Sequence, residues 1–477
     1  MRFHWFAATA LVLSPAITHA QTVQSISRSD RAQGAQANPQ LLAEFGGRYD
    51  GPQAAYVERV GKRVALQSGL SASQSDFTVQ LLNSPVENAF AIPGGYVYVT
   101  RQLLALMNSE DELAFVMGHE IGHVAARHAA GRQRTSAVGG LLAGVIGAVA
   151  GDSGLGQIIG SGARQASQLY TLKFGRDQEY QADTLGVRYV AGAGYNPGAA
   201  PLILAKLGAS TDLETRAAGR GGTTVPTWLS THPTSAARVA QARTLAQQSG
   251  RGTDAPPQDT MFLKMLDGLR YGDDPAQGVI DGQNFRQPAM RIKFTAPTGY
   301  TIVNGAQAVT VQGANGQAQL MAAAQDQSPV QAVARRFEAL GGQIASEQIR
   351  EITVGGRRAA TATVAAAANN QRVDATVVAI AFPSATYVWT MVTPAGDGTR
   401  VFDTMLASFT SMTAPEADAV RGKRILIYTV RAGDTIESVS RRMAYPDFQT
   451  DRFLTLNGLT SSTALRPGML VKLVVTG

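Results

Sequence analysis

The chain has 477 residues, a formal net charge of +7 and no cysteine. Its length exceeds what one hydrophobic core usually supports, so we expect two or three domains. The lack of cysteine excludes disulfide scaffolds, Cys-ligated zinc, iron–sulfur clusters and cysteine nucleophiles. A mean hydropathy of -0.04 argues against a polytopic membrane protein, and the mild positive charge does not by itself indicate a nucleic-acid partner.

Residues 1–20 have the pattern of a secretory signal peptide. Arg2 supplies a positive start, residues 6–13 form a short apolar core, and Thr18-His19-Ala20 resembles a small-residue cleavage site. We therefore expect an exported protein, and the alternative is an uncleaved anchor. Residues 21–40 are rich in Gln, Ser and Ala without an apolar period, which predicts a flexible arm.

The rest of the chain divides into three predicted units. Residues 41–250 are expected to be α-rich with a small sheet, residues 261–412 to be a mixed α+β domain, and residues 425–475 to be a compact terminal unit. Polar, proline-containing segments at 251–260 and 412–424 predict linkers. The predicted fold class is therefore α+β multidomain.

The most informative motif is the H-E-x-x-H sequence at residues 119–123. It lies in a predicted helix that begins with a Ser109-x-x-Glu112 capping box. His119 and His123 are one turn apart on the same face, so both can bind one Zn²⁺ at about 2.0–2.1 Å. Glu120 lies beside them, where its carboxylate can take a proton from a metal-bound water. The alternative is an exposed helix with this spacing by chance.

A second predicted helix offers a third ligand. A catalytic zinc ion needs three protein ligands and one open position. Glu179 and Asp183 are four residues apart and share one side of that helix. We expect Glu179 to bind the metal and Asp183 to accept a hydrogen bond from a ligand histidine. One Zn²⁺ per chain is the predicted cofactor, and a solvated acidic face is the alternative.

These motifs together resemble a known family. H-E-I-G-H, followed later by E-x-x-A-D at residues 179–183, resembles the gluzincin metallopeptidases of the HtpX and CAAX-prenyl-endopeptidase type, especially their soluble periplasmic BepA-like members. Residues 88–99 are similar to the strand that precedes the zinc helix in this family. Residues 230–233 with Arg238 are similar to its S-x-H-P-x-x-x-x-R element. The resemblance covers roughly residues 41–250.

The resemblance implies a zinc endopeptidase and roles for two further residues. His232 is expected either to stabilise the oxyanion or to hold the fourth zinc position as a latency ligand. Arg238 is expected to orient the loop or to bind the developing charge. Their alternatives are a loop residue that caps a helix and a surface salt bridge.

A predicted strand is a candidate for substrate binding. An exposed edge strand presents free N–H and C=O groups to which an extended peptide can add. We expect this edge to involve Gly95, Tyr96, Val97 and Tyr98, and the alternative is an ordinary internal strand. The apolar, glycine-rich segment at 137–162 is expected to be a flap, a plug, or a contact with lipid or an outer-membrane partner, against the alternative of a packed hairpin.

The terminal unit resembles the LysM domain. The resemblance rests on Y-x-V-x-x-G-D-T from Tyr428, an N-G-L turn at residues 457–459 and L-x-P-G from Leu465. It implies a βααβ fold that binds peptidoglycan. The expected glycan-binding residues are Gly433, Asp434, Thr435, Asn457 and Gly458. An insertion at residues 444–448 departs from the family pattern, and the alternative is a LysM unit that only packs on the peptidase.

The sequence thus predicts an exported zinc endopeptidase that cleaves misfolded envelope proteins in the periplasm. LysM would tether it to peptidoglycan, with the outer-membrane assembly machinery or a membrane surface as further partners and no nucleic acid. The alternatives are a scaffold or chaperone with a latent protease site and a zinc peptidoglycan hydrolase. Residues 261–412 contain no histidine and are expected to be a spacer or docking module.

Overall fold

The computed structural model describes residues 25–128, 174–218, 228–251, 258–305, 308–323, 327–368 and 371–477. The predicted signal peptide at 1–20 and the apolar segment at 137–162 lie outside the described residues. Among the helices within these ranges, none is long and apolar enough to cross a bilayer.

The first unit is α-rich with a small sheet, as predicted. Its helices are α1 (Arg28–Glu44), α2 (Gln53–Ala65), α3 (Arg101–Leu106), α4 (Glu110–Ala125), α5 (Arg176–Gly192), α6 (Ala199–Ala218) and α7 (Ala236–Gln248). Its strands are β1 (Thr78–Leu82), β2 (Ala89–Ile92) and β3 (Tyr96–Thr100). Strand β3 lies between the other two, parallel to β1 and antiparallel to β2. The prediction that β3 is an edge strand is therefore wrong, and β1 and β2 are the two edge strands of this sheet.

Helix α1 replaces most of the predicted flexible arm. Ser27 caps it by accepting from the N–H of Asp30, whose carboxylate in turn accepts from the N–H of Ser27. Gly34 allows close approach to the sheet, because a Cβ there would lie 2.4 Å from the carbonyl oxygen of Pro93. Leu41 is fully buried against the sheet. The arm prediction is wrong because a few small and apolar residues dock an otherwise polar helix.

Glycines let the helix that carries H-E-x-x-H lie unusually close to α5. A Cβ at Gly118 would lie 3.2 Å from the carbonyl oxygen of Gly186, and one at Gly122 would lie 3.2 Å from that of Ala182. A Cβ at Gly186 would lie 3.1 Å from the backbone nitrogen of His119. These glycines therefore place the backbone of α5, and with it Glu179, directly against the zinc helix.

The middle unit consists of two antiparallel sheets and short helices. The larger sheet has the order β11-β12-β13-β14-β10-β9-β8 and comprises β8 (Thr301–Asn304), β9 (Val309–Gly313), β10 (Gly316–Ala322), β11 (Arg350–Val354), β12 (Arg357–Ala368), β13 (Gln371–Ala381) and β14 (Thr386–Pro394). The smaller sheet comprises β5 (Val279–Asp281), β6 (Asn284–Gln287), β7 (Ile292–Thr295) and β15 (Thr410–Ser411). The helices are α9 (Pro329–Ala339), α10 (Asp403–Ser408) and α11 (Ala414–Ala419). Helix α9 packs on one face of the larger sheet, and a separate aromatic core lies between the two sheets.

The terminal unit has the predicted βααβ order. It comprises β16 (Lys423–Thr429), α12 (Ile436–Ser440), α13 (Gln449–Asn457) and β17 (Leu470–Thr476). A short strand, β4 (Arg270–Tyr271), pairs with β16 as a third strand, directly after α8 (Thr260–Leu266). The α+β multidomain class is confirmed.

One apolar core runs through both the first and the terminal unit. Residues 262–269 belong to it through Phe262, Leu266 and Leu269. The middle unit therefore begins after β4, later than the boundary predicted at 261.

Candidate metal centre

Four buried side chains from three segments converge on one point. Helix α4 supplies His119 and His123, helix α5 supplies Glu179, and the segment after Trp228 supplies His232. One ligand atom from each of the four lies within 4.8 Å of the others. The structure thus brings together all three predicted zinc ligands and the predicted fourth-position histidine.

Hydrogen bonds assign the tautomers of the two helix histidines. His119 Nδ1 lies 2.9 Å from Oδ1 of Asp183, which can only accept as a carboxylate, so Nδ1 carries the proton. His123 Nδ1 lies 2.8 Å from Nδ1 of His128, whose Nε2 lies 2.9 Å from Oε1 of Gln181. If Nε2 of His128 donates to Gln181, then Nδ1 of His128 accepts a hydrogen bond from the Nδ1–H group of His123. Each helix histidine is then left with an unprotonated Nε2.

The donor atoms fit a divalent cation. The Nε2 atoms of His119 and His123 are 3.0 Å apart, and Nδ1 of His232 lies 3.3 Å from the former. Burial lowers the pKa of all three imidazoles, which favours their neutral, metal-binding forms. The mutual repulsion of their lone pairs is relieved by a cation between them.

The carboxylate of Glu179 completes this donor set. Its Oε1 is 3.1 Å from Nδ1 of His232, and its buried Oε2 accepts no hydrogen bond. Nη1 of Arg238 lies 2.7 Å from that Oε2, close enough for an ion pair but without hydrogen-bond geometry. Three imidazoles and one carboxylate form an N/O donor set of the kind that zinc prefers.

Asp183 and Arg238 form a support behind the ligands. Arg238 donates from Nε to Oδ2 of Asp183 (2.8 Å) and from Nη2 to Oδ1 (2.7 Å). Although burial alone would raise it, the pKa of Asp183 is held at about 2 by hydrogen bonds from His119 and Arg238. Nη1 of Arg238 also donates to the carbonyl oxygens of His232 and Pro233. Of the two roles expected for Arg238, this geometry favours orientation of the His232 loop over binding of the developing charge.

Glu120 lies beside the donor cluster, and a tryptophan holds it. Its Oε1 accepts a hydrogen bond from Nε1 of Trp228 at 2.8 Å and lies 3.5 Å from Nε2 of His232. Burial raises the pKa of Glu120 well above its ordinary value of 4.5, so the group can both take and return a proton. The Trp228 ring also stacks on His232, with centroids 4.6 Å apart.

Sequence reasoning did not assign roles to Trp228 and Gln181. Trp228 is one of three tryptophans in the chain and precedes His232 by four residues, which is a usable signal. Gln181 lies within the E-x-x-A-D stretch but has no distinctive pattern of its own. The predicted capping box is only half formed, because Glu112 Oε2 accepts from the N–H of Asn108 rather than that of Ser109.

The residues predicted for substrate binding lie in the central strand. Val97 belongs to the main core, while Tyr96 and Tyr98 pack on the opposite sheet face beneath α1. Tyr98 donates to Oδ1 of Asn38 in α1 at 2.8 Å, and a Cβ at Gly95 would lie 2.3 Å from the carbonyl oxygen of Asp76. Buried pairing on both sides removes the free edge that the prediction required. Within this sheet, β1 and β2 each pair with β3 alone, and β1 has one further isolated bridge, between Leu82 and Arg48.

The predicted glycan-binding side chains are used within the terminal unit. Asp434 accepts from the N–H of Arg431 and from the Tyr428 hydroxyl, both at 2.7 Å, and Thr435 caps α12. The amide of Asn457 bonds the backbone N–H and C=O of Lys472 at 2.7 and 3.0 Å. Gly433 and Gly458 have positive φ and shape the loops. These polar side chains therefore stabilise the loops themselves, and glycan binding by them stays a prediction.

This geometry defines a zinc metallopeptidase site of the H-E-x-x-H class with a distant glutamate ligand. Residues 52–246 match the model of Peptidase family M48, and residues 428–473 match that of the LysM domain. The chain thus carries an M48 peptidase domain followed by a C-terminal LysM domain. The predicted family resemblance and zinc as the cofactor are confirmed.

Three curated relatives show the same similarity. The chain is 30% identical over 236 residues to the Beta-barrel assembly-enhancing protease of Yersinia pestis, covering 47% of this chain and 46% of that protein. It is 31% identical over 202 residues to the Escherichia coli protein of that name, covering 40% and 39%. It is 31% identical over 172 residues to Mitochondrial metalloendopeptidase OMA1 of Arabidopsis thaliana, covering 35% and 32%. The matches therefore span less than half of these relatives.

Proposed function

We propose that this chain is an exported zinc-dependent endopeptidase that cleaves misfolded envelope proteins in the periplasm and binds peptidoglycan through its LysM domain. The observation that carries the proposal is the buried convergence of His119, His123 and Glu179 with Glu120 beside them. The two helix histidines would hold the ion together with Glu179. Zinc bound there supplies a Lewis acid that polarises a peptide carbonyl and acidifies a water molecule.

The chain's own groups account for proton transfer. Glu120 is buried and has a raised pKa, so its carboxylate can accept the proton of the attacking water and then deliver it to the leaving amine. Trp228 holds Oε1 of Glu120 in place through its indole N–H. The hydrogen bond from His119 to Asp183 keeps the imidazole in the tautomer that presents Nε2 to the metal.

Strand β2 is the proposed substrate edge. An extended polypeptide can add to a strand that pairs on one side only, through main-chain hydrogen bonds that tolerate varied side chains. Such tolerance suits unfolded or misfolded envelope proteins. The Beta-barrel assembly-enhancing proteases named above support the envelope setting, including proximity to outer-membrane assembly.

His232 could keep the site latent. If Nδ1 of His232 also held the ion, four protein ligands would fill the coordination that zinc usually has and would leave no position for water. We propose that displacement of His232 opens the site. A scaffold with a permanently latent site is the second candidate, and this closed donor set is the observation that favours it.

The test compares the mature chain with Glu120→Gln and His232→Ala, and uses Glu58→Gln as a control at a half-exposed glutamate on α2. Zinc is counted by mass spectrometry, and cleavage of casein and an unfolded outer-membrane protein is followed. We expect about one zinc per chain, cleavage lost only with Glu120→Gln, and faster cleavage with His232→Ala. Zinc without cleavage in every variant would favour the scaffold. Soluble muropeptides released from purified sacculi would instead indicate a wall hydrolase.

A further inference from the structure

The LysM domain is joined to the peptidase by a continuous interior. Its buried side chains, including Ile425, Phe453 and Leu473, lie in the same apolar core as the zinc helix. Residues 471–474 of β17 are all buried, so both faces of this strand are covered. A LysM unit on a flexible tether would instead leave the outer face of its two-stranded sheet in water.

The first predicted linker, residues 251–260, also holds the two units together. Gln258 bonds both the N–H and the C=O of Leu470 through its side-chain amide, at 2.9 and 2.6 Å. Asp259 accepts from the backbone N–H of Glu110, the first residue of the zinc helix, at 3.1 Å. Strand β4 adds to the LysM sheet through pairing with β16. These contacts fix the position of LysM relative to α4.

A buried lysine of LysM reaches the start of the zinc helix. Lys472 is fully buried, and its Nζ donates to the carbonyl oxygens of Ala105 (2.6 Å) and Met107 (2.7 Å). These are terminal carbonyls of α3, which have no partner within their own helix, and a cation there also complements the helix dipole. Since α4 begins at Glu110, Lys472 holds the connection from which the zinc helix starts.

A second buried lysine extends this contact into α4 itself. Lys206 of α6 donates to both carboxylate oxygens of Glu112 at 2.9 and 2.8 Å, and Glu112 lies in the first turn of α4, two turns before His119. Burial and the charge of Lys206 lower the pKa of Lys472 well below its ordinary value. Two lysines and one glutamate thus form a buried polar cluster at the N-terminal end of the zinc helix.

The sequence insertion that departs from the LysM pattern lies at the same junction. The ring of Tyr445 lies between two cations, with Arg452 at 4.4 Å and Lys423 at 4.7 Å from its centroid. Arg452 in turn donates to Oε1 of Glu214 in α6 at 2.7 Å. The insertion therefore supports the arginine that contacts the peptidase, and its Phe448 ring also lies 5.9 Å from the guanidinium of Arg216 in α6.

We propose that the LysM domain is a structural part of the peptidase, with Lys472 as a positioning residue for the zinc helix. This role goes beyond glycan binding and requires no glycan. It also fixes the predicted glycan loop against the peptidase, because a Cβ at Gly458 would lie 3.1 Å from both Nδ2 of Asn108 and Cε of Lys206. A wall strand bound there would be held at a constant distance from the zinc site.

The experiment uses the full mature chain with Lys472→Met, which keeps an unbranched side chain but removes the donor. Arg441→Met is the matched control, an exposed cation in the same domain. Zinc affinity is measured by chelator competition, and hydrogen exchange is followed in residues 101–112. We expect Lys472→Met to weaken zinc binding by about two- to thirtyfold and to speed exchange in that segment. The control should change neither.

Unchanged zinc affinity, with faster exchange confined to β16 and β17, would overturn the proposal and leave LysM as a tether. Should Lys472→Met not fold, Arg452→Gln repeats the test at a less buried contact with Glu214. Neither readout needs cleavage, so a chain without peptidase activity would refute the proposed function while leaving this test intact.

Discussion

Asp183→Asn is the sharpest test of how the zinc site is supported. The carboxylate is fully buried and accepts three hydrogen bonds, one from His119 and two from Arg238. Asparagine has nearly the same shape, so packing is preserved while the negative charge and one acceptor are removed. The substitution therefore changes the ion-pair partner of the buried Arg238 and the acceptor that sets the tautomer of His119.

The magnitude follows from these contacts. Removing one partner of a buried ion pair costs about 3–5 kcal/mol, because the remaining charge is left without a partner. Arg238 is 2% exposed and keeps Glu179 as a carboxylate within ion-pair distance, so we expect a loss near the lower end of this range. Replacing the charged acceptor of the ligand His119 by a neutral amide should lower zinc affinity by about 10-fold.

The assay is urea unfolding and chelator competition on four chains. These are the wild type, Asp183→Asn, Arg238→Gln and the double variant, with the exposed Asp212→Asn as a control. We expect the double variant to be more stable than the sum of the single losses predicts, by about 1–3 kcal/mol, because both charges are absent. Additive losses, or an Asp183→Asn chain with unchanged zinc affinity, would refute the reasoning.

Three other predictions concern separate parts of the site and fold. His128→Leu should weaken zinc binding by about tenfold or more in chelator competition, whereas His128→Asn, which keeps an acceptor for the N–H of His123, should weaken it less. Trp228→Phe should lower kcat in a peptide assay with zinc content unchanged, because Glu120 loses its indole donor. Burial raises the pKa of Glu87 from 4.5 to about 7, so its contribution to stability is full below pH 4.5 and is lost as the pH rises through 7. Glu87→Gln should therefore stabilise the chain at pH 8 by at most about 3 kcal/mol and flatten the pH dependence of its thermal unfolding. Equal pH dependence in the variant and the wild type would contradict the raised pKa of Glu87.

The parts of the site that were predictable are the local ones. His119 and His123 share a helix face because their spacing matches the helix period, and the same holds for Glu179 and Asp183. That the two pairs meet depends on the glycine contacts between α4 and α5, which no single-helix pattern contains. His232 came from family resemblance alone, because nothing in its local sequence marks a ligand.

The errors share a physical cause, which is that sequence periodicity says little about long-range contacts. The sequence of strand β3 does not distinguish an edge position from a central one, because its neighbours are set by pairing with other segments. Helix α1 has a polar sequence that does not predict a packed helix. Gly34 and Leu41 are its only buried residues, and its docking depends on them. The docking of LysM entered only as an alternative to glycan binding, because Lys472 in isolation is an ordinary polar residue of an alternating strand.

The four donors differ in how firmly the fold holds them, and this decides which one can move. His119, His123 and Glu179 lie on two helices that are in direct backbone contact. His232 follows a single short turn, where its N–H donates to the carbonyl oxygen of Trp228 at 3.0 Å. Its carbonyl oxygen also accepts a 3.3 Å hydrogen bond from Arg238. Displacing His232 therefore breaks few backbone hydrogen bonds, although its ring leaves the stack on Trp228. Moving the backbone of any other donor requires the separation of α4 from α5. A switch at this site would act through His232.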